Sequence, residues 1–265
     1  MIVPAPAYIH EFPHPHVVVQ LHPRKDQPFT LGQLEQALRD GVRGVELDLR
    51  WRASDSSVVC SHEKRDLDSR PTLDQALSAI RRFRGESPTV RGDGLQFFVF
   101  IDLKEESQEF HRALMRVLAV HAGCLANSAR PDTGPRGITV IVTGYRAALE
   151  RSVPQRALDT LCVVEGREYA ASRITDQSSV SRAPQAEPGT FQWTAVEYPV
   201  ERSRVRAIHE GSDARARGYF NVRVIGARGH VARAIDSGAD AVNADLDEIP
   251  AVVRHAERAA APSLH

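Results

Sequence analysis

Residues 96–104 read QFFVFIDLK, an apolar run that ends in an acidic and a basic residue. Residues 138–142 read ITVIV and are also apolar nearly throughout. A strand with one face in water alternates apolar and polar residues, whereas a strand covered on both faces is apolar along most of its length. These two runs therefore predict a buried parallel sheet, with the polar residues of interest at the ends of its strands.

Similar runs recur along the 265-residue chain and alternate with helical patterns. The strand predictions are 16–21, 44–49, 96–103, 138–143, 161–165, 192–196, 222–226 and 241–244. The helix predictions rest on apolar residues spaced three and four apart, and they are 31–39, 72–84, 108–122, 230–237 and 249–260. Pro71 before the second helix and Gly238 after the fourth are typical start and stop residues.

Eight strands, nearly all followed by a helix, in a chain near the ~250 residues typical of the fold predict an α/β protein with a single (β/α)8 TIM barrel over residues 1–265. The alternative is a doubly wound open sheet, which predicts a Gly-rich turn after the first strand, but residues 20–26, QLHPRKD, contain no glycine. Residues 1–15 are predicted to be an irregular lead-in. Residues 170–190, rich in Ser, Gln, Pro and Gly, are either a lid loop or disordered.

The charge balance is even, with 34 Lys and Arg against 34 Asp and Glu. No global positive field exists to gather phosphates, which argues against a nucleic-acid partner. The start of the chain does not resemble a secretory signal, and no apolar run approaches the ~18 residues of a transmembrane segment. The three cysteines are widely spaced without a CxxC pattern, so we expect a cytoplasmic protein with reduced thiols. The sequence does not indicate an oligomeric state.

Ionisable residues stand at the ends of the predicted strands, where TIM barrels carry their catalytic groups. They are His22, Glu46, Asp48, His62, Asp102 and Lys104. Because residues two apart in a strand face the same way, Glu46 and Asp48 share one side of their strand, as do Asp102 and Lys104. We therefore expect three carboxylates and an ammonium to converge at one mouth of the barrel.

Converging carboxylates cannot all stay ionised without a compensating charge. One of them is protonated, a basic side chain neutralises them, or a cation binds. Oxygen ligands without a thiolate favour a hard divalent cation, with Mg²⁺ placed before Ca²⁺. Two imidazoles beside a metal-bound phosphate would supply a general base and a general acid near neutral pH.

The order His…Glu-x-Asp…His…Asp-x-Lys resembles the superfamily of glycerophosphodiester phosphodiesterases and phosphatidylinositol phospholipase C-like phosphodiesterases. The stretch GVRGVELDLRWRASDSSVVCSHEKRDL (41–67), followed by PTLDQAL (71–77), is similar to that family's acidic strand, hairpin, histidine and helix. VRVIGARGHVARAIDSGADAVNADLDEIPAVV (222–253) resembles its closing strand, helix and turn. VVEGRE (163–168) resembles the branch that includes the altered-inheritance-of-mitochondria protein 6 type.

The resemblance implies a TIM barrel in which one divalent cation is held by Glu46, Asp48 and Asp102. It implies that His22 and His62 are the catalytic acid/base pair. The implied phosphate- or substrate-binding residues are Lys104, Arg24, Arg167 and Trp193. The chain departs from the family where Pro23 follows the first histidine, where Glu63 follows the second, and where Asp102 replaces the Glu of classical members. These departures leave the catalytic set intact and alter the loops that recognise the substrate.

The function predicted from these residues is that of a metal-dependent phosphodiesterase acting on a glycerophosphodiester or phospholipid-like substrate. If water attacks, the protein is a phosphoric diester hydrolase. If a neighbouring hydroxyl of the substrate attacks, it is a phosphorus–oxygen lyase that forms a cyclic phosphate. The alternatives are a catalytically inactive TIM-barrel binding protein and another Mg-dependent barrel lyase, in which Lys104 would be the base.

Overall fold

The structure is a computed structural model that describes residues 18–22, 27–85, 90–91, 97–125, 138–153, 163–164, 166–167, 193–210 and 221–260. These residues belong to two compact units. One unit lies within Leu21–Val163, and the other combines residues 18–20 with the described residues from Val164 onward. Each unit is mixed α/β, with parallel strands that alternate with helices.

The strands of the described residues are β1 Val18–Leu21, β2 Gly44–Arg52, β3 Ser57–Cys60, β4 Phe97–Leu103, β5 Ile138–Gly144, β6 Val163–Val164, β7 Gly166–Arg167, β8 Trp193–Glu197, β9 Asn221–Ile225 and β10 Ala241–Ala244. The helices are α1 Leu31–Asp40, α2 Leu73–Arg84, α3 Gln108–Val120, α4 Arg146–Ser152, α5 Arg202–His209, α6 Val231–Asp236 and α7 Ile249–Ala260. None of the helices in these ranges has the length and hydropathy that a bilayer-spanning helix requires.

The unit within Leu21–Val163 is built on β2, β4 and β5, which pair in parallel in the order β5-β4-β2. The short strand β3 turns back and pairs antiparallel with the second half of β2. All seven residues of β4 are buried, as the apolar run at its centre predicts. The register places Asp48 of β2 beside Asp102 of β4, so the acidic ends of both strands meet at one edge.

Local sequence signals fix where the first helices begin and end. The side chain of Thr30 accepts a hydrogen bond from the Gln33 amide, and the Gln33 side chain accepts one from the Thr30 amide. Thr72 and Gln75 form the same reciprocal capping box at the start of α2. Helix α1 is capped after Asp40 by Gly41, whose φ of 101° is a left-handed conformation that glycine adopts without steric cost. Both helices thus begin at a Thr-x-x-Gln capping box.

The second unit holds a sheet in the order β1-β10-β9-β8-β7, in which the strands from β10 to β7 pair in parallel. Strand β1 joins it through the Val18 amide, which donates to the Asp240 carbonyl at 2.8 Å. The Asp240 carboxylate accepts from the Val222 amide at 2.7 Å and contacts Nε2 of His209 at 2.8 Å. Helix α6 is followed by Gly238, which has a φ of 94°, in agreement with the stop predicted there.

Each of the eight predicted strands overlaps an observed strand, and each of the five predicted helices overlaps an observed helix. Helix α3 ends at Val120, two residues before the predicted end. Strands β3 and β7 and helices α4 and α5 were not among the strand and helix predictions, and in α5 three of the eight residues are arginines. Alternating parallel α/β structure is thus confirmed, whereas the closed eight-stranded barrel remains a prediction. The lead-in 1–15 and the loop 170–190 lie outside the described residues.

Candidate active site

Three carboxylates form a buried cluster at the ends of β2 and β4. Glu46, Asp48 and Asp102 are 4%, 9% and 6% exposed. One oxygen of each lies within 4.8 Å of an oxygen of the other two. Three acidic groups held this close and away from water stay ionised together only with positive charge nearby.

The ammonium of Lys104 supplies part of that charge. Its Nζ lies 2.9 Å from Oδ1 of Asp48 and 2.6 Å from Oδ2 of Asp102. Burial by itself would lower the pKa of Lys104, but the charges of Asp102 and Asp48 and the hydrogen bonds to both raise it above its usual value. The side chain therefore stays protonated and bridges the two strands.

His62 lies just beyond β3 and contacts the cluster through Asp48. Its Nδ1 is 3.1 Å from Oδ2 of Asp48. A carboxylate only accepts hydrogen bonds, so Nδ1 carries the proton and Nε2 is the nitrogen that can exchange a proton with another molecule. The Ser61 amide donates to the Asp48 carbonyl at 2.8 Å, which ties the chain before His62 to β2. The imidazole is 28% exposed and is reachable from solvent.

His22 follows β1 and borders the cluster at Glu46. Its Nε2 lies 3.9 Å from Oε2 of Glu46, an ion-pair separation beyond hydrogen-bond length. The side chain is 29% exposed, nearly the same as His62. The cluster is thus bordered by two accessible imidazoles, each next to a different carboxylate.

Gly144, at the end of β5, packs directly against Asp102. Its φ is 77°, and a Cβ built on it would overlap Oδ1 of Asp102 and the backbone of Leu103. The next residue, Tyr145, donates its amide to the Leu103 carbonyl at 3.0 Å. A side chain at position 144 would therefore displace the Asp102 carboxylate.

Cys60 lies close to the cluster but contributes no nucleophile. It is 1% exposed, and burial together with the charge of Asp48 raises the pKa of its thiol far above the usual range. Thiolate is the reactive form of cysteine, so this side chain stays neutral and unreactive.

The structure brings together six of the residues predicted from the sequence, namely His22, Glu46, Asp48, His62, Asp102 and Lys104. Of the other three, Arg24 lies outside the described residues. Arg167 belongs to β7 and Trp193 to β8, both in the other unit, where the structure describes their backbone. Sequence reasoning missed Gly144, whose contact with Asp102 depends on the register between β4 and β5.

Comparison with known proteins gives matches in structure only. No protein-family model matches the sequence, and a search of curated proteins finds no match. The glycerophosphoryl diester phosphodiesterase domain of a Mycobacterium tuberculosis protein matches with a TM-score of 0.52 at 15% identity, covering 92% of this chain and 99% of that one. A glycerophosphodiester phosphodiesterase from Parabacteroides distasonis has a TM-score of 0.52 at 17% identity, with coverage of 92% and 98%.

A calcium-dependent phosphoinositol-specific phospholipase C from Pseudomonas also matches, with a TM-score of 0.51 at 14% identity and coverage of 89% and 90%. The chain has the fold of these phosphodiesterases. The structural neighbours thus come from both arms of the superfamily that the sequence resembles, and they agree with that resemblance at the level of the fold. The resemblance to the altered-inheritance-of-mitochondria branch remains a prediction.

Proposed function

We propose that the protein is a metal-dependent phosphodiesterase that cleaves a glycerophosphodiester or phospholipid-like phosphodiester by acid–base catalysis with His22 and His62. One observation carries this proposal: two accessible imidazoles border one buried carboxylate cluster, His22 beside Glu46 and His62 beside Asp48. The fold shared with glycerophosphodiester phosphodiesterases and a phospholipase C supports the same reaction class.

In the proposed enzyme, this site lies at the mouth of a closed (β/α)8 barrel. The matched phosphodiesterases support the barrel over a doubly wound sheet, because they align with about nine-tenths of this chain and of their own chains. Catalytic groups of such barrels come from the carboxyl ends of the strands, which is where β2 and β4 carry their carboxylates.

The donor set of the cluster fits a hard divalent cation. Glu46, Asp48 and Asp102 offer buried carboxylate oxygens, and the neutral thiol of Cys60 is no competitor. These three residues would hold the ion. When bound, it supplies Lewis-acid stabilisation of the charge that grows on the phosphoryl oxygens. Mg²⁺ is our first choice, and the calcium dependence of the Pseudomonas neighbour keeps Ca²⁺ as the second.

The chain's own residues then bind the phosphate and move two protons. An ammonium has three donors, and the two contacts of Lys104 with Asp48 and Asp102 leave one for a phosphate oxygen. The proposed further contacts with the substrate are Arg24, Arg167 and Trp193. One histidine takes the proton of the nucleophile, and the other gives a proton to the leaving alkoxide.

The identity of the nucleophile decides the product. Water gives a phosphomonoester and an alcohol. A hydroxyl of the substrate next to the phosphate gives a cyclic phosphodiester and the same alcohol, with no water consumed. A ³¹P NMR time course separates the two routes, because only internal attack shows a cyclic phosphodiester signal.

The experiment that tests the proposal is turnover of a substrate panel running from glycerophosphocholine through lysophospholipids to inositol phospholipids, with Mg²⁺ and Ca²⁺ compared. We expect cation-dependent cleavage, lowered about 10²–10⁴-fold by His22→Ala or His62→Ala. No cleavage together with no bound cation would identify a binding protein. No cleavage together with Mg²⁺-dependent turnover of carboxylated substrates would identify a lyase. Full activity of both histidine variants would also overturn the proposal.

A further inference from the structure

Arg50 makes hydrogen bonds to two loops of the candidate site. One follows β3 and carries His62, and the other follows β4 and carries Lys104. Arg50 stands two residues after Asp48 on β2. Its Nε donates to the His62 carbonyl at 2.9 Å, and its Nη1 donates to the Lys104 carbonyl at 3.3 Å and to Oε1 of Glu105 at 3.0 Å. The side chain of Arg50 is 13% exposed, so these bonds form largely out of water.

Each of the two loops also makes one backbone hydrogen bond to β2, through an amide near the start of the loop. The Ser61 amide donates to the Asp48 carbonyl at 2.8 Å, and the Lys104 amide donates to the Leu49 carbonyl at 3.1 Å. Arg50 binds the carbonyls of His62 and Lys104, which lie on the carboxyl side. The backbone at His62 and at Lys104, the two residues whose side chains contact Asp48, is therefore hydrogen-bonded to β2 on its amino side and to Arg50 on its carboxyl side.

We propose that Arg50 is a positioning residue that fixes the imidazole of His62 and the ammonium of Lys104 relative to Asp48. A guanidinium suits this role because its donors are rigid and coplanar, whereas a lysine ammonium cannot span two loops with a fixed geometry. The inference rests on the proposed function for its effect on turnover. The coupling of the two loops by Arg50 does not depend on that function and is measured by amide exchange.

Arg52 provides a matched control on the same side of β2. It donates to both carboxylate oxygens of Asp55, at 2.9 and 2.7 Å, and to the carbonyls of Leu67, Asp68 and Arg70. The guanidinium of Arg52 thus donates to four residues, one more than that of Arg50. None of those partners belongs to His62 or Lys104, so its loss tests general stability alone.

The test compares Arg50→Gln, Arg50→Lys and Arg52→Gln with the unaltered protein by steady-state kinetics and by NMR-detected amide exchange. We expect Arg50→Gln to lower kcat about 10²-fold, the scale of an ångström-sized displacement of catalytic groups. KM should stay within about threefold, because the contact is not made to the substrate. The Ser61 and Lys104 amides should exchange faster in Arg50→Gln. The kcat of Arg50→Lys should reach no more than about a tenth of the value of the unaltered protein.

Arg52→Gln should keep kcat and the exchange rates of both amides. Equal kcat values for Arg50→Gln and Arg52→Gln, or unchanged exchange at Ser61 and Lys104, would overturn the inference. Should Arg50→Gln fail to fold, Arg50→Lys carries the same comparison. If the unaltered protein cleaves no phosphodiester, the proposed function fails, and the exchange rates alone decide whether Arg50 couples the loops.

Discussion

The ammonium of Lys104 lies 2.6 Å from Oδ2 of Asp102 and 2.9 Å from Oδ1 of Asp48, so it contacts two of the three carboxylates that would hold a divalent cation. The ammonium and the cation therefore compete for the same oxygens. Binding of the cation would release Lys104 from part of this contact and free its donors for a phosphate.

This competition predicts that Lys104→Met binds Mg²⁺ or Ca²⁺ more tightly than the unaltered protein. Removing one positive charge a few ångströms from the ion should raise its affinity about tenfold or more, since the repulsion between two unit charges is worth ~1 kcal/mol even in water and a divalent ion doubles it. Titration calorimetry measures the affinity directly. Without a cation, the variant should melt at a lower temperature, because its carboxylates have lost their counter-charge. Unchanged or weaker cation binding would contradict the competition.

Gly144→Ala should impair the site as well as the fold. A methyl group there would displace the Asp102 carboxylate, so we expect weaker cation binding and a kcat lowered at least about tenfold. Gly226→Ala is the matched control, because Gly226 also has a positive φ, 73°, but its Cβ would meet open space. Both variants should lose about 1–2 kcal/mol of unfolding free energy to the left-handed backbone. If cation affinity fell equally in both variants, the contact between position 144 and Asp102 would not be the cause.

The two histidines should respond differently to the leaving group. A p-nitrophenolate ion leaves without protonation, whereas an alkoxide requires a proton from the general acid. With a p-nitrophenyl phosphodiester, we therefore expect only one of His22→Ala and His62→Ala to regain most of its activity, and that residue is the acid. The other variant stays about 10²-fold or more below the unaltered protein because it lacks the base. Recovery of both variants, or of neither, would exclude separate acid and base roles.

In the second unit, the contact between His209 and Asp240 should stabilise the fold most at low pH. The hydrogen bond to Asp240 raises the pKa of His209 above its usual value of 6.5, despite the opposing effect of burial. The stabilisation is fully present below the unfolded pKa and is lost as the pH rises through the higher folded pKa. Urea unfolding of His209→Gln should show a deficit of about 1 kcal/mol or more at about pH 5.5 and a smaller one at about pH 9. A deficit independent of pH would show that the charge of His209 plays no part.

The sequence predicted the composition of the site better than its geometry. The spacing of Glu46 and Asp48 places both carboxylates on one side of a strand, because strand side chains repeat every two residues. The contact of Asp48 with Asp102 depends instead on the register between β2 and β4, which no local pattern specifies. The close packing of Gly144 on Asp102 depends in the same way on the register between β4 and β5.

Arg50 was missed for a different reason. Its partners are mostly backbone carbonyls, which every residue carries and which leave no signature in a sequence. Helices α4 and α5 were missed because each has only three apolar residues among charged and polar ones, too few to show a helical period. Elements with long apolar runs, such as β4, were predicted to within one residue.

Every carboxylate of the cluster, both histidines and Lys104 come from one continuous stretch, residues 22–104. Among the described residues, the charged groups of the cluster are therefore set by this one stretch of sequence, and Gly144 of β5 adds a packing contact. Under the proposed function, loops outside this stretch could be varied to change the substrate without moving a charged group of the cluster. For protein engineers, this identifies residues 22–104 and Gly144 as the part to hold constant and loops elsewhere in the chain as the part to diversify.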